Sequence, residues 1–497
     1  MNYIGVSSGF HDAAISIVNS YGEILFAGHS ERYSNNKHDS QLCLPLITDA
    51  KSFMDDDEYE VHYYERPWLK YLRQLRAGED TSICNIFAKN MIGQSTVKHQ
   101  FDDKSIHTHN HHLSHAAAGF QTSPYDDAVV VIIDAIGEFD TISIWDASYD
   151  EDTGRAEYKK LWGQTYPDSI GLFYSAMTAR VGLRPLDEEY ILMGMAAYGQ
   201  ARHSGEIYDS LIASSKKITF STNLHIGVAE EFLEGANHMD IAASTQVVTE
   251  HLIQHVVTKA RMLGKSKNLV YGGGVALNCL ANRLLGNYFN NIWIMPNPGD
   301  AGSSLGAAAL GYGYKLQWTD AYLGHNIPGD YPVNSLLDAL LKDKIVGVAS
   351  GRAEFGPRAL GNRSLLADPR GNDIKDKVNE IKHRQKFRPF APVILEEYAD
   401  IYFDMPDGWD NSRYMQVIST CRTPKLFPAI VHNDGTSRVQ TVPKDGSGIR
   451  ELLEKWYVLT GCPMLLNTSL NVRGEPMVND RADADRFEQL YGMRVLS

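Results

Sequence analysis

The stretch that decides the fold is DDAVVVIIDAIGEFDTISIWDAS, residues 126–148. It opens with a continuous apolar run, turns at an acidic, glycine-containing segment, and continues with alternating apolar and polar residues. This order predicts a buried strand, a tight turn and a half-buried strand. The segments 2–7, 12–18 and 24–28 follow a similar plan of short strands joined by turns. The sequence therefore predicts an α/β fold in which a β–turn–β unit occurs twice.

Further elements extend this organisation along the chain. The spacing of apolar residues predicts a helix over 241–263, and a third strand follows within NLVYGGGVALN at 268–278. The composition shifts at NIPGDYPVN, near residue 330. We therefore divide the chain into a first domain, residues 1–335, and a second domain, residues 336–497.

The bulk composition excludes several classes of protein. The 497 residues are 43% hydrophobic and 22% charged, which is typical of a globular chain with two or three packed units. The net charge of −14 argues against a globally basic nucleic-acid-binding surface, although not against a local basic patch. No apolar run approaches the roughly 20 residues that span a bilayer. Five scattered cysteines without a CxxC pair predict a reducing cytoplasm.

Two histidines in the stretch HHLSHAAAGF are spaced for metal binding. His111 and His115 are four residues apart, so on a helix both imidazoles leave the same face about one turn apart. This arrangement can chelate a divalent metal. The alternative is that two histidines on an alanine-rich helix cap it or face solvent. His107, His109 and His112 crowd the same segment, and His112 is the strongest competitor as a ligand.

The run GRAEFGPRALGNRS at 351–364 gathers three arginines among glycines. Arg352, Arg358 and Arg363 can bring several guanidinium forks to one phosphate or carboxylate. A solvated charged segment is the usual alternative for such a cluster. Aromatic and proline residues in and near the run favour a walled groove instead. A metal site and an anion site together suggest chemistry on a phosphorylated donor.

Ten motifs, in this order along nearly the whole chain, resemble those of the O-carbamoyltransferases of the NodU/CmcH type. They are GFHDAA, KHD, HHLSHAA, DAIGE, MGMAAYG, GGGVALN, NPGDAGSSLGAA, GRAEFGPRALGNRS, RPFAPVIL and LLNTSLNVRGEPMV. The resemblance implies a two-lobed, actin/Hsp70-like (TsaD-like) domain fused to a YrdC-like α/β domain. It also implies two chemical steps: carbamoyl phosphate and ATP give carbamoyl-adenylate and pyrophosphate, and the carbamoyl group then passes to an acceptor hydroxyl.

The same resemblance implies a metal site in the first domain. Its ligands are expected to be His111, His115, Asp134 and Asp300, a His2Asp2 set. Mixed imidazole and carboxylate ligands favour Fe(II), with Mn and Zn next and Mg as a weaker alternative. Such a metal can fix a phosphate and polarise the carbamoyl carbonyl.

Residues near the start of the chain are expected to take part in carbamoyl transfer. His11, in GFHDAA, is the expected general base for the acceptor hydroxyl, and Asp12 supports it. Without the family pattern, a histidine in a turn is more often structural. Lys37 and His38, in KHD, either neutralise the adenylate phosphate or line the acceptor pocket, and a solvated loop is the alternative.

Two larger sets of residues are expected to bind the co-substrates. Glycines let the backbone approach a nucleotide closely, and a carboxylate can accept hydrogen bonds from ribose hydroxyls. The nucleotide-binding set is Gly137, Glu138, Gly272, Gly273, Gly274, Asn278, Gly302 and Ser303. The carbamoyl phosphate-binding set is Arg352, Arg358, Arg363, Lys382, Arg384, Arg388, Asn467, Thr468 and Ser469, and Arg473 follows the last of these.

Two positions depart from the family pattern. Ile191 stands where relatives often carry a lysine, and Ala135 replaces a common glycine. Each change either alters the neutralisation of phosphate or is tolerated by repacking.

The acceptor is open among hydroxyl compounds. The resemblance implies sugars and natural-product alcohols, and a hydroxymethylated pyrimidine, free or in DNA, is chemically equivalent. YYERPWLKYLRQLRAGED at 63–80 places Lys70, Arg73 and Arg76 at helical spacing beside Trp68, where they can grip a polyanion. The favoured alternative is an amphipathic helix. Its core residues would be Trp68, Leu69, Leu72 and Leu75.

Two other classes of function are kept as alternatives. A tRNA threonylcarbamoyl-transfer enzyme also uses an HxxxH metal site, but the run at 351–364 and the acidic balance argue against it. A non-catalytic, actin-like nucleotide-binding regulator would need none of the donor pocket. We expect no membrane partner, and the sequence leaves the oligomeric state open.

Overall fold

The protein has a mixed α/β architecture built on three main sheets. A computed structural model describes residues 1–78, 97–102, 104–385, 388–446 and 448–497. Among these residues, every helix is too short or too polar to cross a bilayer.

The first sheet contains five strands. They are Asn2–Ser7, Ala14–Asn19, Ile24–His29, Tyr59–Tyr63 and Ile106–Thr108. The first three pair antiparallel as a meander, and the last two add parallel to Asn2–Ser7 on its other side. The last two strands therefore need crossover connections, as parallel neighbours do.

The second sheet repeats this topology. Its strands are Asp127–Gly137, Asp140–Tyr149, Ala156–Thr165, Asn268–Gly272 and Asn291–Trp293. Again three strands form an antiparallel meander and two add parallel to the first of them. The apolar run within 126–148 forms the central strand of this sheet. Most residues of that strand are buried, as is typical of a strand covered on both faces.

The two repeats exchange their central helices. His111–Phe120 follows the last strand of the first sheet but packs against the second sheet, whereas Ser303–Tyr312 follows the second sheet and packs against the first. The helices cross at Gly306, where an added Cβ would lie 1.8 Å from the carbonyl oxygen of Ser114. Only glycine allows the two backbones to meet so closely.

A third sheet is formed by strands between residues 345 and 496. In spatial order they are Gln440–Val442, Ala391–Leu395, Met464–Ser469, Arg363–Ala367, Ile345–Ala349 and Val495–Leu496. The helices Val333–Asp343 and Gly448–Thr460 pack beside it. The predicted boundary between residues 335 and 336 falls inside the first of these helices.

Smaller elements connect the three sheets. The remaining helices are Glu31–Ser34, Leu44–Ser52, Pro67–Ala77, Ile170–Arg180, Glu189–Met195, Ser204–Leu211, His238–Leu263, Cys279–Asn282, Ile374–Ile381, Ala399–Tyr402 and Arg481–Tyr491. The remaining strands are Ile212–Ser214, Thr219–Phe220, Tyr322–Ile327, Gly351–Glu354, Phe403–Asp404, Ser419–Cys421 and Thr436–Ser437. Trp409, Val417 and Ile418 pack into the core of the second sheet. These residues of the predicted second domain therefore contact the second sheet, whereas strands later in the chain belong to the third sheet.

The helix Pro67–Ala77 buries different side chains from those predicted. Trp68 and Leu72, expected in the core, are 55% and 44% exposed, whereas Lys70 and Arg73 are buried. The Lys70 ammonium donates a hydrogen bond to Glu65 at 2.9 Å. Because these two cations are buried, they are not available to a polyanion, and the less favoured interpretation, binding to nucleic acid, is contradicted for both. The favoured interpretation, an amphipathic helix, is wrong for Trp68 and Leu72. Residues 79 and 80 of the predicted segment lie outside the described residues.

The buried pair of Lys70 and Glu65 gives a stability prediction. Lys70→Ala removes the cation that is bonded to the buried Glu65 carboxylate, so we expect a loss of about 3–5 kcal/mol in the free energy of unfolding. Arg76→Ala, on the exposed face of the same helix, should change it by less than about 0.5 kcal/mol. Chemical denaturation of both variants checks this. Equal losses would show that the pair does not stabilise the fold.

Candidate functional site

One cavity of about 470 Å³ lies where loops from all three sheets meet. Its lining contains one group of histidines and carboxylates, which we call the first end, and one group of arginines with a lysine, which we call the second end. The lining at the first end includes His11, Asp12, Lys37, His38, Asp134, Asp187 and Asp300. The lining at the second end includes Arg358, Lys382, Arg384, Arg388, Arg438, Asn467, Thr468, Ser469 and Arg473.

The four residues predicted as metal ligands converge at the first end. One ligand atom from each of His111, His115, Asp134 and Asp300 lies within 4.8 Å of the others. The His111 Nε2 atom is 3.3 Å from Asp134 Oδ2 and 3.4 Å from Asp300 Oδ1. The His115 Nε2 atom is 3.3 Å from the same Asp300 oxygen. All four side chains are at most 10% exposed.

Local structure explains this convergence. The Asn110 side chain caps the helix that carries both histidines by accepting a hydrogen bond from the Leu113 N–H at 3.0 Å. Asp134 stands near the end of the central strand of the second sheet, and its Oδ1 accepts from the Gly274 N–H at 3.1 Å. Asp300 occupies the turn just before the helix Ser303–Tyr312.

The electrostatics of this cluster suit a divalent cation. Burial disfavours a charged imidazole, but Asp300 and Asp134 outweigh it and raise the pKa of His111 well above its usual value. The two carboxylates thus favour a positive charge on the His111 ring, and a divalent cation can take the place of that charge. The competitor His112 points elsewhere: its Nδ1 lies 2.7 Å from Ser143 Oγ, and burial lowers its pKa.

Glu65 lies behind the cluster. Its Oε2 atom is 3.6 Å from the buried Nδ1 of His111, and its Oε1 atom accepts from Lys70. A carboxylate on the far side of a ligating histidine commonly fixes the orientation of the ring.

His11 and Asp12 form the start of a hydrogen-bonded chain at the same end. Asp12 Oδ2 lies 2.9 Å from His11 Nδ1, and Asp12 Oδ1 lies 2.8 Å from His38 Nδ1. The other nitrogen of His38 lies 2.9 Å from Asp187 Oδ1. Burial disfavours charge on His38, but the two carboxylates raise its pKa to about 9. Lys37 lines the cavity beside them.

The second end carries a concentration of positive charge. Burial and the neighbouring Arg438 lower the pKa of Arg358 to about 9, and Arg388 adds to the effect. The Nε atom of Arg438 is buried and lacks a hydrogen-bond partner among the described residues. An anion between these guanidinium groups would relieve their repulsion. Our sequence analysis missed Arg438, which lies outside the arginine-rich runs.

Two other cations at this end already bind protein oxygens. The Lys382 ammonium donates to the backbone oxygen of Asn471 at 2.8 Å and to its Oδ1 at 3.0 Å. Arg384 donates to Asn379 Oδ1 at 2.6 Å and to the Pro389 carbonyl at 3.0 Å. Both residues line the cavity, so they contribute charge to it while bracing its wall.

Arg352 and Arg363 do not line the cavity, contrary to expectation. Arg352 donates to backbone carbonyls that include Leu25 at 2.7 Å, and its guanidinium lies 4.8 Å from the Phe53 ring centroid. Arg363 is fully buried. It donates to the carbonyls of Ser350, Gly351, His325, Asn362 and Asn479. Both arginines hold the backbone together, because strands Gly351–Glu354 and Arg363–Ala367 direct them away from the turn that contains Arg358.

Several residues of the predicted nucleotide set also lie away from the cavity. Glu138 is saturated by Arg66 and by Asn110, at 2.7–3.1 Å, so it cannot receive a ribose. Gly137 packs against His111, whose Cδ2 would be 2.4 Å from an added Cβ. The others that do not line the cavity are Gly272, Gly273, Gly302 and Ser303. These glycines serve close packing: added Cβ atoms at 273 and 302 would lie 2.2 and 1.7 Å from backbone oxygens.

The rest of that set, Gly274 and Asn278, lines the cavity. Asn278 caps a short helix and exchanges hydrogen bonds with Gln246 at 3.0 and 3.1 Å. Of the two departures from the family pattern, Ile191 is 1% exposed in the core of the second sheet. Ala135 lines the cavity beside Gly171.

Asn467 presents a neutral hydrogen-bonding group at the second end. Its Nδ2 donates to the Ala359 carbonyl at 3.0 Å and to Gln440 Oε1 at 2.7 Å. Its Oδ1 is buried and has no hydrogen-bond partner among the described residues. A buried acceptor that lines a cavity is suited to a ligand N–H.

Comparison with known proteins identifies the family. A family model described as Carbamoyltransferase N-terminus matches residues 44–309, and one described as Carbamoyltransferase C-terminus matches residues 337–497. The protein sll1178 of Synechocystis is 32% identical over 97% of this chain and 93% of its own length. Nodulation protein NolNO of Sinorhizobium fredii is 30% identical over 95% and 76%. The solved structure of HypF from T. kodakarensis aligns with 63% of this chain and 47% of its own, with 13% identity and a TM-score of 0.36. The chain belongs to the carbamoyltransferase family and is a carbamoyltransferase.

Proposed function

We propose that this enzyme makes carbamoyl-adenylate from carbamoyl phosphate and ATP and transfers the carbamoyl group to an acceptor hydroxyl. The observation that carries the proposal is the single cavity, with cations at one end and a histidine–carboxylate cluster at the other. This chemistry needs a site for an anionic donor and a proton-accepting group, and the lining of this cavity contains residues suited to each.

The first step belongs to the cationic end. Water releases inorganic phosphate from carbamoyl phosphate and leaves carbamate. A carbamate oxygen then attacks the α-phosphorus of ATP, and pyrophosphate leaves. Arg358, Arg388 and Arg438 would bind the phosphate oxygens, whose charge is greatest in this step. Asn467 Oδ1 would accept from the carbamoyl amide, and Thr468 and Ser469 would supply further neutral hydrogen bonds.

The nucleotide would lie against the wall formed by Gly274 and Asn278. In this arrangement the adenylate phosphate would lie near Lys37 and the carbamoyl group would point toward His11. Residues 336–497 would be the YrdC-like, adenylate-forming domain, and residues 1–335 the TsaD-like transfer domain.

The second step belongs to the end that contains His11. His11 Nε2 would take the proton of the acceptor hydroxyl as its oxygen attacks the carbamoyl carbon, and AMP would leave. Asp12 would hold the ring through Nδ1. When bound by His111, His115, Asp134 and Asp300, a divalent metal, Fe(II) by preference, would polarise the carbamoyl carbonyl as a Lewis acid.

The acceptor would be an alcohol of a sugar or natural product, or the hydroxymethyl group of a modified pyrimidine. For the modified pyrimidine, a free nucleoside is favoured over DNA, because two of the three cations that could contact DNA, Lys70 and Arg73, are buried.

Isotope exchange tests the proposal directly. Labelled pyrophosphate should enter ATP only when carbamoyl phosphate is present. A threonylcarbamoyl-transfer enzyme would not need carbamoyl phosphate, and a nucleotide-binding regulator would show no exchange. Exchange without carbamoyl phosphate, or none with any of Fe(II), Mn, Zn or Mg, would contradict the proposal.

The metal site gives a prediction about affinity. Asp300→Asn should weaken binding of Fe(II) or Zn by more than about 100-fold, since loss of a merely supporting group costs about 10–100-fold. His112→Gln is the matched control, because that histidine bonds Ser143 outside the cluster. Titration calorimetry on the folded proteins measures both. Equal affinity in the wild type and in Asp300→Asn would remove Asp300 from the site.

The anion site gives a prediction about the first step. Arg358→Ala should lower carbamoyl-phosphate-dependent exchange by about 100-fold or more, because it removes a charge-assisted contact to the donor. Arg422→Ala, which breaks an exposed ion pair with Asp404 outside the cavity, should leave exchange unchanged. Normal exchange in the Arg358 variant would exclude it from the donor site.

The two steps should separate in a variant of His11. His11→Asn should retain exchange and lose carbamoyl transfer by about 100-fold or more, since the general base acts only in the second step. Parallel assays of exchange and of AMP release measure the two steps. Loss of both in a folded variant would show that the assigned role is wrong.

A further inference from the structure

We infer that His38 and Asp187 are positioning residues that fix Asp12 and, through it, the ring of His11. The inference rests on the proposed role of His11 in transfer and assigns two residues to it. These four side chains form one hydrogen-bonded chain that ends 4.0 Å from Asp300, at the metal-cluster end of the cavity.

The chain leaves Asp12 little freedom. Each of its two oxygens binds a different histidine, so the carboxylate cannot rotate without breaking one of two hydrogen bonds of 2.8–2.9 Å. Because Asp12 occupies Nδ1 of His11, the Nε2 atom is the one that faces the cluster. A carboxylate that holds one ring nitrogen in this way selects both the orientation and the tautomer of a catalytic histidine.

His38 is in turn held from both sides. Its two nitrogens contact Asp12 and Asp187, and its backbone N–H donates to Glu31 Oε2 at 3.0 Å. Its raised pKa agrees with an imidazolium between two carboxylates. The resulting positive charge keeps Asp12 ionised as a hydrogen-bond acceptor, and burial alone would not do so.

The backbone is also adapted to this arrangement. Asp12 and His38 both adopt a left-handed conformation, with φ of 53° and 57°. Such conformations are uncommon for residues with a Cβ and persist where the surrounding structure requires them. Here they direct the two side chains toward each other across separate loops.

Asp187 links this hydrogen-bonded chain of side chains to the donor end of the cavity. The adjacent carboxylate of Glu188 accepts from Arg473 at 2.7 Å, and the nearby Tyr190 ring lies 4.9 Å from the Arg388 guanidinium. The loop that carries Asp187 is therefore anchored to the residues that surround the donor. This placement gives Asp187 a fixed position relative to both reacting groups.

A metal site is the weaker interpretation of the same residues. Ligand atoms of Asp12, Glu31 and His38 lie within 4.8 Å of one another. These three residues are all partly exposed and already join one another through hydrogen bonds to His38 of 2.8–3.0 Å, which account for their closeness without a metal.

The test uses water as the acceptor, so it needs no identified alcohol. The full-length enzyme is mixed with ATP and carbamoyl phosphate, and rapid quenching measures the pyrophosphate burst and the later release of AMP. In His38→Gln and Asp187→Asn, the burst should stay within about twofold of the wild type. AMP release should be about 10- to 100-fold slower, because a poorly oriented His11 loses part of the roughly 10²–10⁴-fold acceleration that a general base supplies.

His325→Gln is the matched control. It breaks a His–Asp contact of 2.8 Å, with Asp49, at similar exposure but outside the cavity, and it should change neither step. Unchanged AMP release in both test variants, or an equal fall in burst and AMP release, would overturn the inference. A wild-type enzyme that gave no burst would instead contradict the proposed function.

Discussion

The close crossing of two helices at Gly306 is the constraint on which the rest of the structure depends. Each of these helices follows one sheet and packs against the other, so the two repeats cannot separate without losing both helices. Because the backbones touch at Ser114, the first turns of the two helices lie together. His111 and His115 stand on one helix and Asp300 just before the other. The cluster of candidate metal ligands therefore depends on the packing that holds the two repeats together.

The cavity is organised by opposite charges at its two ends. Against the effect of burial, the carboxylates raise the pKa values of His38 and His111, whereas burial and the neighbouring guanidinium groups lower the pKa of Arg358. Within each end the like charges repel one another, so a ligand group of the opposite charge would be stabilised there. Under the proposed function, a ligand would place its phosphates among the guanidinium groups and its carbamoyl group beside the histidines.

Sequence reasoning reached the parts of the structure that follow from periodicity. The repeated β–turn–β plan and the shared face of His111 and His115 depend on local spacing, and the structure has both. It failed where a contact with a residue far away in the sequence determines the role of a side chain. Glu138 accepts hydrogen bonds from Arg66, 72 residues away in the chain, and from Asn110, 28 residues away, and periodicity indicates neither contact. Arg352, Arg358 and Arg363 look alike in sequence, but only the one in the turn between two strands faces the cavity. Asp187 escaped notice because its partner, His38, is 149 residues away.

We propose that carbamoyl-adenylate is formed and its carbamoyl group is transferred within one cavity. Retention of the intermediate on the protein tests it most directly. Enzyme is mixed with radiolabelled carbamoyl phosphate and ATP without an acceptor alcohol, and rapid gel filtration separates protein from solutes before acid quenching. The account predicts that labelled carbamoyl-adenylate elutes with the protein, close to one per chain. Labelled adenylate found mainly among the free solutes, or none formed while ATP is consumed, would contradict it.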